Sequence, residues 1–165
     1  AGDWDGDGSS DLLVGAPESV DGEAFVVSFD GLSLGESATS VMMARLTGPV
    51  GALGTSVSLA GDVDGDGLSD ALVGAPAYSV GAAESGAAGL FLGGMTGSLD
   101  GADAIVTGTA AYQYTGQAVG YNPGSGDAFD SLVIGAWGHD LDGGGSAEID
   151  QGSLFIVESA FIDGM

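Results

Sequence analysis

The sequence predicts an all-β fold built from repeated four-stranded antiparallel sheets, and three observations predict it. A 16-residue motif, GDWDGDGSSDLLVGAP at residues 2–17, recurs as GDVDGDGLSDALVGAP at residues 61–76, 61 − 2 = 59 residues later, with thirteen positions identical. The remaining apolar segments are short runs of β-branched, aromatic and aliphatic residues bounded by Gly, Asp, Ser or Pro, and they lack the 3.6-residue periodicity of a helix. Glycine supplies 33 of the 165 residues with no Gly-X-Y period. That excludes collagen, suits many tight turns between short strands, and suits long helices poorly.

The elements follow in order. After the first copy of the motif come the runs 24–29 and 40–46. The second repeat supplies four strands, at 55–60, 71–75, 88–92 and 103–107. A weaker third copy, GYNPGSGDAFDSLVIGAW at 120–137, is preceded by a run from Tyr114 to Val119 and followed by Ser153–Val157. Four short strands in about 60 residues, repeated, is the pattern of a propeller blade. The expected organisation is a partial blade at 1–49 (strands two to four), a complete blade at 50–109, and a partial blade at 110–165 (strands one to three), an incomplete ring. Stacked units stabilise one another through their faces. Further repeats of a longer chain, or neighbouring chains, are therefore expected to cover the outer blades. The sequence opens at Ala1 inside a motif, which reads as a piece of something longer.

Composition narrows the function. Twenty-four acids against one base give −24 + 1 = −23, with Arg45 the single cation besides His139. Nucleic acid and anionic membranes need clustered Lys or Arg and are excluded as partners. The acid leaves metal cations, basic proteins and solubility as its readings. Hydrophobic residues make up 44% of the chain and charged residues 15%, the reverse of a disordered composition. There is no cysteine, hence no disulfide and no thiolate chemistry. No apolar window is long enough for a membrane-spanning helix.

The chemistry lies in the repeated loop. Asp3, Asp5, Asp7 and Asp11 occupy positions 1, 3, 5 and 9 of the first loop, and Asp62, Asp64, Asp66 and Asp70 occupy them in the second. Two such charges about 4 Å apart repel by about 1 kcal/mol in water and about 4 kcal/mol at an effective dielectric near 20. A hard divalent cation removes that penalty. Calcium fits best, because it accepts six to eight oxygens in flexible geometry. By analogy with other Asp-rich loops, position 7, Ser9 or Leu68, donates its backbone oxygen. An EF-hand would need Glu at position 12, where Val14 and Val73 stand, so the loop is EF-hand-like in a β context. The third loop offers a poorer set, Ser125, Asp127 and Phe129, with Pro123 at position 1, and the balance there falls against a metal. The alternative for every loop is a solvated acidic turn.

These residues resemble the FG-GAP repeat of integrin α-subunit β-propellers and their bacterial relatives. The resemblance rests on Gly-Asp-x-Asp-Gly-Asp-Gly-x-x-Asp-x-Leu-Val-Gly-Ala-Pro, with Gly15-Ala16-Pro17 and Gly74-Ala75-Pro76 as the second signature, decayed to Gly135-Ala136-Trp137. The Phe-Gly signature stands altered as Leu53-Gly54 and Thr115-Gly116. About two and two-thirds repeats span the chain. The resemblance implies a ring of about seven blades, calcium in the loop between the first two strands of a blade, and an extracellular or cell-surface location. It implies as ligands Asp3, Asp5, Asp7, Ser9 and Asp11, then Asp62, Asp64, Asp66, Leu68 and Asp70.

No enzymatic constellation emerges. His139, Asp140 and Asp142 read as loop residues, Arg45 as half of a local salt bridge, and the aromatics Trp4, Tyr78, Tyr112, Tyr114, Tyr121 and Trp137 as core or rim rather than a sugar platform. Met42 and Met43 are adjacent in a strand and cannot both face one core. The expected function is a calcium-binding extracellular module with a structural or adhesive role in a larger surface protein, with a protein or glycan ligand. The alternatives are a self-assembling protein whose chains complete each other's end blades, and a non-catalytic propeller appended to a secreted hydrolase.

Overall fold

Short apolar runs ended by glycine or aspartate can bury a face only by pairing with one another, and the structure resolves them into three sheets. The computed structural model describes residues 2–28, 42–48, 52–123, 131–138 and 152–158. The strands are β1 (Asp11–Ala16), β2 (Glu23–Ser28), β3 (Met42–Thr47), β4 (Ser56–Leu59), β5 (Ala71–Ala75), β6 (Ala87–Phe91), β7 (Gly97–Ser98), β8 (Ala104–Thr107), β9 (Thr115–Asn122), β10 (Ser131–Ala136) and β11 (Ser153–Glu158). The one helical element described is a single 3-10 turn, Leu99–Gly101. The four strands predicted for the second repeat appear within one residue of their expected ends.

The sheets have the orders β1-β2-β3-β7, β4-β5-β6-β8 and β9-β10-β11. Among the described residues the strand pairings are antiparallel except β3 with β7, which is parallel through Leu46–Gly97 and Thr47–Ser98, and an isolated parallel bridge joins Gly86 to Thr115. Strand β7 was not foreseen: it comes from the connection between β6 and β8 and crosses to extend the first sheet. Two residues without apolar pattern carry no strand signal, so only the neighbouring sheet's open edge creates it. Among the described residues the three sheets do not close a ring, in keeping with an incomplete propeller.

Two cores lie between the sheets. Ala24, Val26, Ala44 and Leu46 of the first sheet meet Ala71, Val73, Ala75, Ala87 and Phe91 of the second, with Trp4, Leu53 and Leu99. The alternate residues of the second sheet, Leu72, Ala88 and Leu90, meet Leu132 and Ile134 of the third. The middle sheet is therefore covered on both faces, and β5 and β6 are buried at every position. In β10 burial alternates instead. On the outer face of that sheet Leu154 and Ile156 are 61% and 60% exposed.

The two glycine signatures meet at these contacts. A Cβ on Gly15 would lie 2.0 Å from the Gly54 carbonyl oxygen, and one on Gly74 would lie 2.0 Å from the Gly116 oxygen. Gly54 and Gly116 have φ of 92° and 86°, a region that favours glycine. The Gly-Ala glycine of one repeat thus receives the backbone of the next repeat's altered Phe-Gly pair. This explains why both glycines stand in the motif.

Candidate metal centres

Each acidic loop is shaped by its own carboxylates. In the first, Asp3 Oδ1 accepts from Gly6 N–H at 2.8 Å and Asp3 Oδ2 from Gly8 N–H at 3.0 Å. In the second, Asp62 accepts from Gly65 and Gly67 at 2.7 and 2.9 Å. Asp5 and Asp64 accept from the amides of Asp7 and Asp66, and these in turn from those of Ser9 and Leu68. Glycines at φ of 80° and 87° (Gly6, Gly8) and 81° and 95° (Gly65, Gly67) curl both loops identically.

The ninth-position aspartates differ from the rest because they enter the core. Asp11 opens β1 and Asp70 directly precedes β5, and both side chains are fully buried. Asp11 Oδ2 accepts from Trp4 N–H at 2.8 Å. Asp70 Oδ2 accepts from Val63 N–H at 2.7 Å and its Oδ1 from Gly93 N–H at 2.9 Å. Asp11 Oδ1 is buried with no hydrogen-bond partner among the described residues. Burial pushes the Asp70 carboxyl up to about 6, against the lowering effect of the Val63 and Gly93 amides, with Asp64 and Asp66 adding to the rise. Burial raises Asp11 as well, opposed by the Trp4 amide and reinforced by Asp5, Asp7 and Asp3.

Carboxylate oxygens of Asp3, Asp5 and Asp11 lie within 4.8 Å of one another, and so do those of Asp62, Asp64 and Asp70. Oxygens on one calcium ion stand at 2.3–2.6 Å from it and so no more than about 5 Å apart, which both triads satisfy. The orphaned Asp11 oxygen is a further mark of fit, because a buried carboxylate oxygen without a donor is costly and a cation would satisfy it. Asp7 and Asp66 are brought into the loops but not into the triads. Ser9 and Leu68 enter through amides that bond Asp7 and Asp66. Ser125, Asp127 and Phe129 of the third loop lie outside the described residues, as do His139, Asp140 and Asp142.

Sequence reasoning missed two groups at these centres, the Gly93 amide that holds Asp70 and a contact between the loops in which Ser69 N–H donates to the Asp3 carbonyl at 2.7 Å. Neither carries a local signal, because both partners are distant in the chain. Elsewhere Arg45 pairs with Glu23 across β2 and β3. Trp4 is core, Tyr78 and Tyr121 pack against the two cores, and Tyr114 stacks on the half-exposed Trp137 at 4.9 Å. Met42 is exposed while Met43 packs inward.

Among the described residues, no helix is long and apolar enough to cross a membrane. A search of curated proteins finds no significant match. Among protein families, the FG-GAP repeat matches residues 53–91, a span that contains β4, the second acidic loop, β5 and β6. That match is consistent with the resemblance to FG-GAP repeats read from the second acidic loop and its Gly74-Ala75-Pro76.

Proposed function

We propose that this chain is a calcium-binding, extracellular β-repeat module with a structural or adhesive role inside a larger surface protein. FG-GAP repeats are non-catalytic, typically extracellular, and generally associated with calcium, which supports the reading. The observation that carries it is the convergence of three carboxylates in each of two loops, one holding a buried oxygen with no donor. Asp3, Asp5 and Asp11 hold one ion and Asp62, Asp64 and Asp70 the other, with Asp7, Asp66 and the carbonyls of Ser9 and Leu68 completing the shells. Bound calcium neutralises the crowded carboxylates and ties the turn into the strand that follows. In a chain without disulfides that is a substitute staple. Two ions leave a charge of −23 + 4 = −19, so the surface stays strongly acidic.

The affinity suits an exterior rich in calcium, with Kd on the order of 0.1–1 mM. Partners are further repeats or other chains, and the outer face of the third sheet, with Leu154, Ile156 and Trp137 exposed, is where they dock. Calorimetric titration tests the reading. Two ions bound per chain, with a melting temperature that falls in EGTA, support it, and a chain indifferent to calcium and chelator refutes it.

A further inference from the structure

Asp3 belongs to both loops. Its carboxylate is part of the first triad, and its backbone carbonyl accepts from Ser69 N–H at 2.7 Å. Ser69 stands between Leu68, the position-7 carbonyl of the second loop, and Asp70, the buried member of the second triad. Side chains repeat the link. A Cβ on Gly2 would lie 2.3 Å from Ser69 Oγ, and one on Gly6 would lie 3.0 Å from Leu68 Cδ2. Leu68 also sits over Gly93, whose amide holds Asp70.

Building on the reading that both loops take calcium, we propose that the two loops are one coupled unit, in which filling either loop raises the affinity of the other. The path is short and made of fixed contacts. Ordering Leu68–Asp70 fixes the direction of the Ser69 N–H and with it the Asp3 peptide. The Asp3 carboxylate leaves the same Cα and accepts from Gly6 and Gly8, so a fixed Asp3 backbone presents an ordered first loop. A cation entering either loop alone must order both, and a second cation finds that ordering already done. By linkage the effect is equal in the two directions.

Trp4 makes this measurable, because it lies inside the first loop, is buried, and donates its amide to Asp11. In a Trp137→Phe background Trp4 is the single tryptophan, and its fluorescence follows the first loop and the core that the loop enters. Calcium titrations followed by Trp4 are compared with and without Asp64→Asn, which removes a carboxylate from the second triad only. Coupling predicts that the Trp4 transition moves to calcium concentrations about three- to tenfold higher. Leu68→Ala keeps every carboxylate, trims the contact with Gly6, and moves the transition in the same direction by less. It serves as the test if Asp64→Asn fails to fold. A Trp4 transition unmoved by both variants, with two ions still bound by the parent chain, overturns the coupling and leaves the calcium reading intact. A parent chain that binds no calcium overturns both.

Discussion

Loops 3–11 and 62–70 share every carboxylate position, yet their buried aspartates are held differently. Asp70 accepts from two backbone amides, one of them Gly93 beyond β6, whereas Asp11 accepts from Trp4 alone and keeps Oδ1 without a donor among the described residues. The second loop lies between β4 and β5, in a sheet covered on both faces. The first leads into a sheet that, among the described residues, packs a core on one face. The difference teaches that the same nine residues can be preorganised to different degrees. The surrounding sheets, not the loop sequence, decide how much of the ordering is done before a cation arrives.

The largest expected effect is calcium removal. At calcium about 100-fold above Kd each site adds about 2.7 kcal/mol of stability, so EGTA should remove roughly 5 kcal/mol from a chain with both loops intact. The comparison breaks if the midpoint of urea unfolding is the same with and without chelator. Next in size, Asp70→Ala in saturating calcium strands two amides and should cost about 3 kcal/mol, against about 1–2 kcal/mol for Asp11→Ala, which strands one. Equal losses in denaturant melts would mean that Gly93 contributes nothing to the distinction.

Acidity separates the loops in another way. Without calcium, Asp70 titrates near 6 in the folded chain and near 3.8 when unfolded. Its contribution is fully present below 3.8 and is lost as the pH rises through 6. The calcium-free chain should therefore melt at a higher temperature at pH 5 than at pH 7, a difference of about 1 kcal/mol out of the roughly 3 kcal/mol lost over the whole range from below 3.8 to above 6. Asp70→Asn should flatten this dependence more than Asp11→Asn. With excess calcium the sign reverses, because protons compete with the ion for the same oxygens, from about pH 6 downward at the second loop. The smallest effects concern the glycines. Gly6→Ala and Gly65→Ala both force a side chain to φ near 80° at about 1 kcal/mol. Gly6→Ala adds a few tenths more, since only there does a neighbour, Leu68, stand close. Thermal melts of the pair measure that increment.

Much of this was legible in the sequence. The 59-residue offset placed the loops and all four strands of the second repeat, because motif spacing and turn chemistry are local. A local salt bridge at Arg45 and opposite facings for Met42 and Met43 followed from the shortage of cations and from strand alternation; that the partner is Glu23 and that Met42 is the one turned outward came from the structure. Strand β7 was not legible, nor was the role of the Gly93 amide, since each depends on what another sheet offers. The same holds for the meeting of Gly15 with Gly54 and of Gly74 with Gly116.

The sequence by itself determined an all-β repeat and the carboxylates each acidic loop could offer, because side-chain alternation and the Asp-Gly spacing act over a few residues. Only the tertiary structure decided which oxygens converge, which aspartates are stripped of water, and that the Asp3 carbonyl reaches Ser69 in the other loop. Those properties arise from sheets stacked face to face, where residues 59 and more positions apart become neighbours and burial changes what a carboxylate costs.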